Sequence, residues 1–239
     1  MREPICHLDR VRLPVAGSSP VIDWQVRRGD VWLIDGSVGS GKSTLIKLLA
    51  GLIRPAAGRV SIFGSDLHRL AQRKLLHLRE KIGVIFERDG LIASWTVGEN
   101  LLLPLRYRGT IDDPGLLAQR IETELTAMGE ARTLLSQRVS HLTGRQRRRI
   151  ALLRILLLQP ELVLMDELPL YLNAEDSDTE AVLARLTESG RTLIACAPSS
   201  WARHFPFHPP RIAQLEIDRF CIAADRLRAG EVANQVAVQ

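Results

Sequence analysis

Residues 36–44 read Gly-Ser-Val-Gly-Ser-Gly-Lys-Ser-Thr, an uninterrupted match to the pattern G-x-x-x-x-G-K-[ST]. In such a loop the backbone N–H groups surround a polyphosphate, and the glycines let the chain approach it without a clash at Cβ. Lys42 is expected to reach the β and γ phosphates, and the Ser43 hydroxyl is expected to bind Mg²⁺. We therefore predict that phosphate groups are bound by Gly36, Ser37, Val38, Gly39, Ser40, Gly41, Lys42, Ser43 and Thr44.

The residues on either side of this loop support the same interpretation. Val31 to Ile34 form a short apolar run that is typical of a buried strand, and Ser43 to Leu52 have the composition of a helix. A loop that is merely rich in glycine is the competing interpretation, but it requires neither the strand before it nor the helix after it. The sequence therefore predicts a nucleoside-triphosphate site in a strand–loop–helix unit.

A second apolar strand ends in two acidic residues. Residues 162–167 read LVLMDE, so Asp166 closes the apolar run and Glu167 follows it. Asp166 is expected to hold Mg²⁺, directly or through water, and Glu167 to act as general base toward an attacking water. A third apolar strand spans Thr192 to Ala197. Strands that alternate with helices indicate parallel β-α-β units, with functional groups at the carboxyl ends of the strands.

Composition limits the class of protein. The chain has 239 residues, of which 46% are hydrophobic and 25% charged, and these values exclude a mostly disordered or fibrous chain. The net charge of +5 is too small to argue for a nucleic-acid partner.

The three cysteines, Cys6, Cys196 and Cys221, are widely separated, and we expect reduced thiols. The sequence shows neither a membrane span nor a secretion signal, so we expect a chain that is soluble by itself.

Helical spacing is clearest in the middle of the chain. Asp113 followed by Pro114 predicts the start of a helix, because aspartate caps free N–H groups and proline is tolerated in the first turn. The apolar positions that follow have helical spacing, and we interpret them as core residues: Leu117, Ile121, Leu125 and Met128. Gly129 is the expected end of this helix.

Three further stretches have local patterns of their own. Residues 54–64, RPAAGRVSIFG, predict a hairpin with Gly58 in its turn. Residues 215–225 predict a last edge strand. Prolines in residues 204–210, HFPFHPP, prevent a helix, so a metal pair formed by His204 and His208 is disfavoured.

The order of these segments resembles that of ATP-binding cassette (ABC) ATPases. The phosphate loop is followed by IGVIFE at 82–87, LTGRQ at 142–146 and LVLMDE at 162–167. The resemblance covers about residues 5–200. It implies an α/β fold, the P-loop NTPase fold of ABC type, in which helices flank a mostly parallel core sheet and a further β portion is antiparallel.

The same resemblance implies a domain organisation and ligands. It implies one ABC ATPase domain over residues 1–239, with a helical subdomain inserted at about 91–145 and a loose tail at about 230–239. The implied ligands are ATP and Mg²⁺. In the family, two cassettes close head-to-tail around two nucleotides, so the implied partner is a second copy of this chain or another cassette.

LTGRQ stands where the family has its signature LSGGQ, which opens a helix and caps the ATP bound by the opposite subunit. Carried over residue by residue, the signature positions are Thr143, Gly144, Arg145 and Gln146. The basic run at 147–149 is usual after the signature. We interpret it as a solvated helix face rather than as a nucleic-acid patch.

The chain departs from the family pattern at several positions. Glu87 replaces the usual glutamine; its carboxylate can still bind Mg²⁺ beside the nucleotide, but it adds negative charge near the γ-phosphate. Arg145 replaces the second glycine of the signature, where its side chain either clashes with the phosphate or stabilises its charge. The other departures from the family are Leu168 for proline, Asn173 for aspartate, Pro198 for the histidine that contacts the γ-phosphate, and Pro14 or Val15 for the aromatic residue that stacks on adenine.

Within the family, residues 74–105 are most similar to ATPases of the Mla/Mce lipid-trafficking group, with lipoprotein-release and cell-division cassettes next. In these ATPases the following segment forms a groove that receives a short helix from an integral membrane permease. By this resemblance the groove is lined by Gly90, Leu91, Ile92 and Trp95, and ordinary core packing is the alternative for each of them. The implied location is cytoplasmic, peripheral on the inner face of the cell membrane through this partner.

Three functions remain as hypotheses. The first is an ATP-hydrolysing subunit that drives a membrane partner, which the intact Lys42, Ser43, Asp166 and Glu167 favour. The second is a regulatory subunit that hydrolyses ATP slowly or not at all, or one half of a heterodimer with a regular cassette. The departures that favour it are Glu87, Arg145, Asn173 and Pro198. The third is a nucleic-acid-associated cassette, for which only the net positive charge and the basic run at 145–149 argue.

Overall fold

Strands build two β-sheets in the part of the chain that the computed structural model describes, residues 4–109, 113–171, 178–205 and 210–222. A four-stranded antiparallel sheet has the order β2-β1-β4-β5, and a six-stranded sheet has the order β10-β9-β3-β8-β7-β6. The strands are β1 (Pro4–Arg12), β2 (Ile22–Arg27), β3 (Val31–Asp35), β4 (Ala57–Ile62), β5 (Ser65–Asp66), β6 (Ile82–Ile85), β7 (Leu162–Met165), β8 (Thr192–Cys196), β9 (Arg211–Leu215) and β10 (Phe220–Ile222). In the larger sheet every neighbouring pair is parallel except β9 and β10. The predicted α/β class is confirmed.

Helices connect these strands. They are α1 (Lys42–Leu49), α2 (Gln72–Glu80), α3 (Val97–Arg108), α4 (Pro114–Ala127), α5 (Gly144–Leu158), α6 (Leu168–Tyr171) and α7 (Asp178–Thr187). Short 3-10 helices cover Arg132–Ser136, Val139–His141, Glu188–Gly190 and Ser199–His204. Helices α3, α4 and α5 all lie between β6 and β7 in the chain. Among the described residues, no helix is long and apolar enough to cross a membrane.

The core lies on both faces of the six-stranded sheet. Along β3, Trp32 and Ile34 pack with α1 and the antiparallel sheet, whereas Val31 and Leu33 pack with α3, α4 and α5. Successive side chains of a strand point to opposite faces, so a strand covered on both faces must be apolar at every position. This double coverage explains the uninterrupted apolar run that predicted β3.

The start of α4 agrees with the sequence prediction. The Asp113 carboxylate accepts hydrogen bonds from the N–H groups of Gly115 and Leu116 at 2.7 and 3.2 Å, and Pro114 is the first helical residue. The predicted core positions pack inward, Leu117 partly buried and the others buried: Ile121, Leu125 and Met128. An N-cap together with helical spacing was therefore sufficient to locate this helix.

Residues 54–64 do begin a hairpin, formed by β4 and β5, but its turn lies at Phe63 and Gly64, and the predicted turn at Gly58 is wrong. Gly58 is not in a turn but lies within β4, which pairs antiparallel with its neighbour in the sheet, β1. The register shifts between Asp9 and Arg12, and a Cβ on Gly58 would collide with the carbonyl oxygen of Arg10. Gly58 is thus required by a close approach of two backbones, a long-range contact that the local pattern cannot show.

The end of the nucleotide-site helix differs from the prediction, whereas the predicted edge strand is present. Helix α1 ends at Leu49 rather than at Leu52, because Gly51 adopts a left-handed conformation with φ of +67°. The predicted last edge strand is present as β10, which pairs with β9 at the edge of the six-stranded sheet, whereas Leu215 still belongs to β9. The expected tail at 230–239 and Asn173 lie outside the described residues, as does His208.

Candidate functional site

The phosphate loop connects β3 to α1, as predicted, and its glycines have distinct structural roles. A Cβ on Gly36 would collide with the carbonyl oxygen of Leu215, so the start of the loop packs directly against β9. Gly39 has φ of +84° and open space around its Cα. Gly41 has φ of +99° and precedes the first helical residue, Lys42. The glycines therefore allow close packing at one end of the loop and the turn into α1 at the other.

The Lys42 side chain folds back over the loop. Its Nζ donates hydrogen bonds to the carbonyl oxygens of Gly36 at 2.6 Å and Ser37 at 2.8 Å. The other predicted phosphate-binding residues differ in exposure: Val38, Gly39 and Ser43 are exposed, Gly41 and Thr44 partly buried, and Ser40 buried. The loop thus presents a positive charge and an exposed hydroxyl at the N-terminus of a helix, where an anion is stabilised.

Two acidic residues that sequence reasoning missed hold the loop in place. The Glu216 carboxylate accepts a hydrogen bond from Ser37 Oγ at 2.5 Å and another from Ser37 N at 3.2 Å. Asp35 accepts from the N–H of Gly36 and from the N–H of Ser199, both at 2.8 Å. Asp35 therefore joins the phosphate loop to the segment after β8. A carboxylate directly before the first glycine was the only sequence signal of this link.

Asp166 and Glu167 follow β7 at the same edge of the sheet. The Asp166 N–H donates to the carbonyl of Ile85 at the end of β6. Asp166 is buried, and its Oδ1 has no hydrogen-bond partner among the described residues, whereas the next side chain, Glu167, is exposed. A buried carboxylate oxygen without a partner normally requires one, because its desolvation is not otherwise compensated.

Strand β8 lies between β3, which the phosphate loop follows, and β7, which Asp166 and Glu167 follow. Burial raises the pKa of Cys196, the last residue of β8; the charges of Asp166 and Glu167 raise it further, and the charge of Lys42 opposes them. The ends of β7 and β8 and the start of α1 therefore share one electrostatic environment. Glu87, two residues after β6, is exposed near the same edge. This convergence of carboxyl ends is where parallel α/β proteins bind ligands.

The residues at this edge fit a nucleotide-bound Mg²⁺. The part of the chain that the structure describes has no group of three His, Cys, Asp or Glu side chains that could hold a metal by themselves. Magnesium usually takes only one or two protein carboxylates and completes its octahedron with water and phosphate oxygens. The unpartnered oxygen of Asp166 and the exposed Ser43 hydroxyl match that requirement.

The four residues predicted to form the signature lie at the N-terminus of α5. Thr143 caps the helix: its Oγ1 accepts from the N–H of Gln146 at 3.2 Å, and Gln146 Oε1 accepts from the N–H of Thr143 at 3.1 Å. Gly144 and Arg145 are exposed, and a Cβ on Gly144 would meet nothing within 4 Å. The capping box holds this turn rigid and leaves its outer surface accessible.

The segment after Glu87 is tightly held, and its predicted groove residues divide into two kinds. Ile92 and Trp95 are 37% and 38% exposed, and Gly90 is exposed, whereas Leu91 packs against the core. Buried Asn100 fixes the loop: its Oδ1 accepts from Ile92 N at 2.7 Å, and its Nδ2 donates to the carbonyls of Ile92 and Thr96 at 3.1 and 2.9 Å. Asn100 was not predicted, because a polar residue in a helix is ordinarily assigned to its surface.

Three of the positions that depart from the family pattern differ in burial and in their distance from the phosphate loop. Pro198 is exposed and lies between β8 and the 3-10 helix that begins at Ser199. Leu168 is buried in the core. Val15 is partly buried beside the phosphate loop, where its Cγ1 would lie 3.8 Å from a Cβ on Gly41. No side-chain donor is therefore offered at Pro198, and an aliphatic residue lies beside the loop.

Known proteins resemble this chain in sequence. MetN of Mesorhizobium japonicum, a methionine import ATP-binding protein, is 36% identical over 180 residues, which are 74% of this chain and 48% of that protein. MetN of Bifidobacterium longum is 34% identical over 174 residues, 71% of this chain and 42% of that protein. The chain thus spans about half the length of the curated relatives it matches.

Solved structures resemble it in fold. A dimeric post-hydrolysis state of the ATP-binding cassette MJ0796, bound to ADP and Pi, matches with a TM-score of 0.73 and 25% identity, over 91% of this chain and 98% of that one. The structure of cbiO1 from Clostridium perfringens, part of the ABC transporter complex cbiONQ, matches with a TM-score of 0.71 and 21% identity, over 92% and 88%. At 21% identity, the likeness to cbiO1 shows the fold alone.

The sheet order, the phosphate loop and the acidic residues at the carboxyl edge define a P-loop nucleotide-binding protein. The family profile described as ABC transporter matches residues 21–169. The chain therefore belongs to the ABC transporter family, whose ATP-binding cassettes are ATPases coupled to transport. The predicted family is confirmed, whereas the predicted lipid-trafficking subgroup is not, since the relatives above are named for methionine import.

Proposed function

We propose that this chain is the ATP-hydrolysing subunit of a transporter. The observation that supports this function best is the sheet order, which places β8 between β3, followed by the loop that carries Lys42, and β7, followed by Asp166 and Glu167. One cation, one buried carboxylate and one exposed carboxylate at the carboxyl edge of a parallel sheet have the charges needed to bind a triphosphate and to activate water.

ATP binding is assigned to the loop at 36–44. Its backbone N–H groups surround the phosphates, and Lys42 exchanges its hydrogen bonds to Gly36 and Ser37 for the β and γ phosphates. Ser43 and Asp166 would hold Mg²⁺, with Glu87 as a further carboxylate nearby. When bound, the ion supplies charge neutralisation on the phosphate oxygens. Asp166 would gain the partner that its buried Oδ1 lacks.

Hydrolysis is assigned to Glu167. A water oxygen attacks the γ phosphorus, its proton passes to the Glu167 carboxylate, and the bond from phosphorus to the β–γ bridging oxygen breaks to release ADP. Glu167 is exposed, so water reaches it, and it adjoins Asp166 in sequence. Its role as base requires only this geometry and an ionised carboxylate.

A second cassette is proposed to complete the site. A head-to-tail dimer would place Thr143, Gly144, Arg145 and Gln146 over the nucleotide of the partner cassette. The exposure of Thr143, Gly144 and Arg145 and the rigid capping box support this placement. The matched MJ0796 structure is a dimer, which supports the same arrangement.

A membrane permease is the proposed partner of the loop at 90–95. Ile92 and Trp95 are exposed apolar side chains on a loop that Asn100 holds in one conformation. A preformed apolar surface binds an amphipathic helix at low entropic cost. Attachment through this loop would place the chain at the inner face of the cell membrane.

The transported substrate has two candidates. The relatives at 34–36% identity are named for methionine import. The similarity of residues 74–105 to lipid-trafficking cassettes favours a lipid or lipoprotein instead. Identifying the permease that co-purifies with the chain would decide between them, because that subunit forms the path of the substrate.

A second candidate function is a regulatory subunit that binds ATP with slow turnover or none, alone or paired with a regular cassette. Pro198 favours it, because proline offers no side-chain donor where the family has a histidine. Arg145 also favours it, since an exposed arginine replaces a glycine at the signature.

Steady-state MgATP hydrolysis by the purified chain, measured beside its Glu167→Gln variant, tests the proposal. We expect measurable turnover in the wild type and loss of at least ~100-fold in the variant, because general-base catalysis contributes about 10²–10⁴. ATP binding serves as the control and should persist in Glu167→Gln. Equal rates in the two proteins, with ATP bound by both, would favour the regulatory function.

A further inference from the structure

A cavity of about 550 Å³ lies along α2, outside the nucleotide site described above. Its apolar wall is formed by Phe63 and Leu70, which precede α2, and by Leu78 within the helix. All three side chains are at least partly buried. The cavity is within the size range of small-molecule sites, which are commonly ~300–1,000 Å³ and mostly apolar.

The other side of the cavity is basic. Arg73, Lys74 and His77 line it from α2, and Lys81 lines it from the residue after the helix. His77 is 2.9 Å from Glu80, and Lys81 is 3.5 Å from Glu161. Arg73 and Lys74 are exposed and have no ion-pair partner within the described ranges. An anion entering here would therefore meet two cations whose charges are not already compensated.

The apolar and basic sides meet inside the cavity. The Lys81 Nζ lies 5.6 Å from the centre of the Phe63 ring, so a cation stands directly over an apolar wall. A ligand that fits both sides needs an apolar part against Phe63, Leu70 and Leu78 and an anionic group at the basic side.

Helix α2 also contacts the segment after α1 and the end of α3, so it lies between the nucleotide site and the helix that follows the loop at 90–95. Arg79 donates to the carbonyl of Gly51, just beyond α1, at 2.5 Å. Arg108, the last residue of α3, donates to the carbonyl of Glu80 at the end of α2. A ligand packed against α2 thus lies beside a helix that contacts both the turn after the nucleotide-site helix and the helix after the loop at 90–95.

We propose that this cavity binds an anionic amphiphile, a molecule with one carboxylate or phosphate head and an apolar tail. The tail lies on the apolar wall, and the head lies at Arg73 and Lys74. The site is separate from the ATP site, so its occupancy is measured without nucleotide and does not depend on whether the chain hydrolyses ATP.

Calorimetric titration of the full chain, without nucleotide, tests the ligand class. The probes are decanoate, decyl phosphate, decanol and decyltrimethylammonium, each below its critical micelle concentration. We expect at least one of the two anions to bind roughly tenfold tighter than the alcohol or the cation. The tighter anion identifies the head group. Equal binding of decanol and both anions, or no binding of either anion, would overturn the proposal.

Matched variants test the location. Arg73→Glu combined with Lys74→Glu should weaken binding of the preferred anion by at least roughly tenfold, because like charges then face the head. Arg106→Glu on α3 is the control for a charge reversal at an exposed arginine elsewhere, and it should leave affinity unchanged. Leu70→Trp should weaken binding of the preferred anion, because the larger side chain fills the cavity without changing the charge of the cavity lining. Unchanged affinity in both cavity variants would place the ligand elsewhere.

Discussion

Asp89 and Arg147 form a two-bonded ion pair between the loop after β6 and the helix that the signature opens. Arg147 Nε lies 2.8 Å from Asp89 Oδ2, and its Nη2 lies 3.3 Å from Oδ1. Two turns further along α5, Arg154 donates to the carbonyls of Asp89 and Gly90 at 2.9 and 2.8 Å. The loop proposed to contact a permease and the helix proposed to contact the partner's nucleotide are thus joined within one chain.

Breaking this ion pair should lower stability in a pH-dependent way. Burial raises the pKa of Asp89, but hydrogen bonds from Arg147 and from the Leu91 N–H, with the charges of Arg147 and Arg154, outweigh burial and hold the pKa below its usual value. A lowered carboxyl pKa contributes stability above the unfolded-state pKa of about 3.9 and loses it as pH falls through the folded-state pKa. Asp89→Asn should therefore cost about 1–3 kcal/mol at pH 7 and progressively less below pH ~4.

Urea denaturation of wild type and Asp89→Asn from pH 7 downward measures this difference. Asp9→Asn is the control, because the Asp9–Arg10 pair is exposed and 3.7 Å apart, so its removal should cost almost nothing. A difference between wild type and Asp89→Asn that stays constant as the pH falls would show that the ionised carboxylate is not its source.

Removing the amide of Asn100 should destabilise the loop at 90–95. Asn100→Ala leaves the N–H and the carbonyl of Ile92 without their side-chain partner and removes the donor to Thr96. We expect a loss of about 2–4 kcal/mol in the free energy of unfolding, because Asn100 is 2% exposed. Hydrogen exchange at the Ile92 amide should accelerate in the same variant. Gln119→Ala, on the exposed surface of α4, should stay within about 0.5 kcal/mol of wild type, and an equal loss in both would contradict the assigned role.

Two glycines of the phosphate loop should respond differently to substitution. Gly36→Ala places a Cβ against the carbonyl of Leu215 and must displace either the loop or β9. Gly39→Ala meets no atom within 4 Å and costs only the strain of its positive φ, about 1–2 kcal/mol. We expect ATP affinity to fall at least roughly tenfold more in Gly36→Ala than in Gly39→Ala. Equilibrium binding of a fluorescent ATP analogue measures this, and equal losses would show that packing against β9 is not required.

Restoring a donor after β8 should increase turnover. Pro198→His introduces an imidazole where the family contacts the γ-phosphate, and we expect the rate of MgATP hydrolysis to rise by roughly tenfold. Pro198→Ala is the control, because it removes the ring without adding a donor and should leave the rate unchanged. A rise in both variants would mean that release of the proline ring, rather than the imidazole, changes the rate. No rise in either would mean that the bond from Ser199 N–H to Asp35 holds the segment away from the nucleotide.

Local chemistry was enough to predict the phosphate loop, the acidic end of β7 and the cap of α4. Gly41, Lys42 and Ser43 act through a strand–loop–helix unit of adjacent residues, and Asp113 caps the N–H groups two and three positions ahead. A strand buried on both faces is apolar along its whole length, so β3, β7 and β8 were also evident from the sequence.

Tertiary structure alone decided which distant groups support the site. Glu216 reaches Ser37 across 179 positions, Ser199 reaches Asp35 across 164, and Arg147 reaches Asp89 across 58. Gly58 was mistaken for a turn residue because its constraint comes from the backbone of β1, a strand that is remote from Gly58 in sequence. Each of these contacts joins segments that lie far apart in the sequence. Local periodicity reports the environment of one segment, and it contains no information on which remote segment provides that environment.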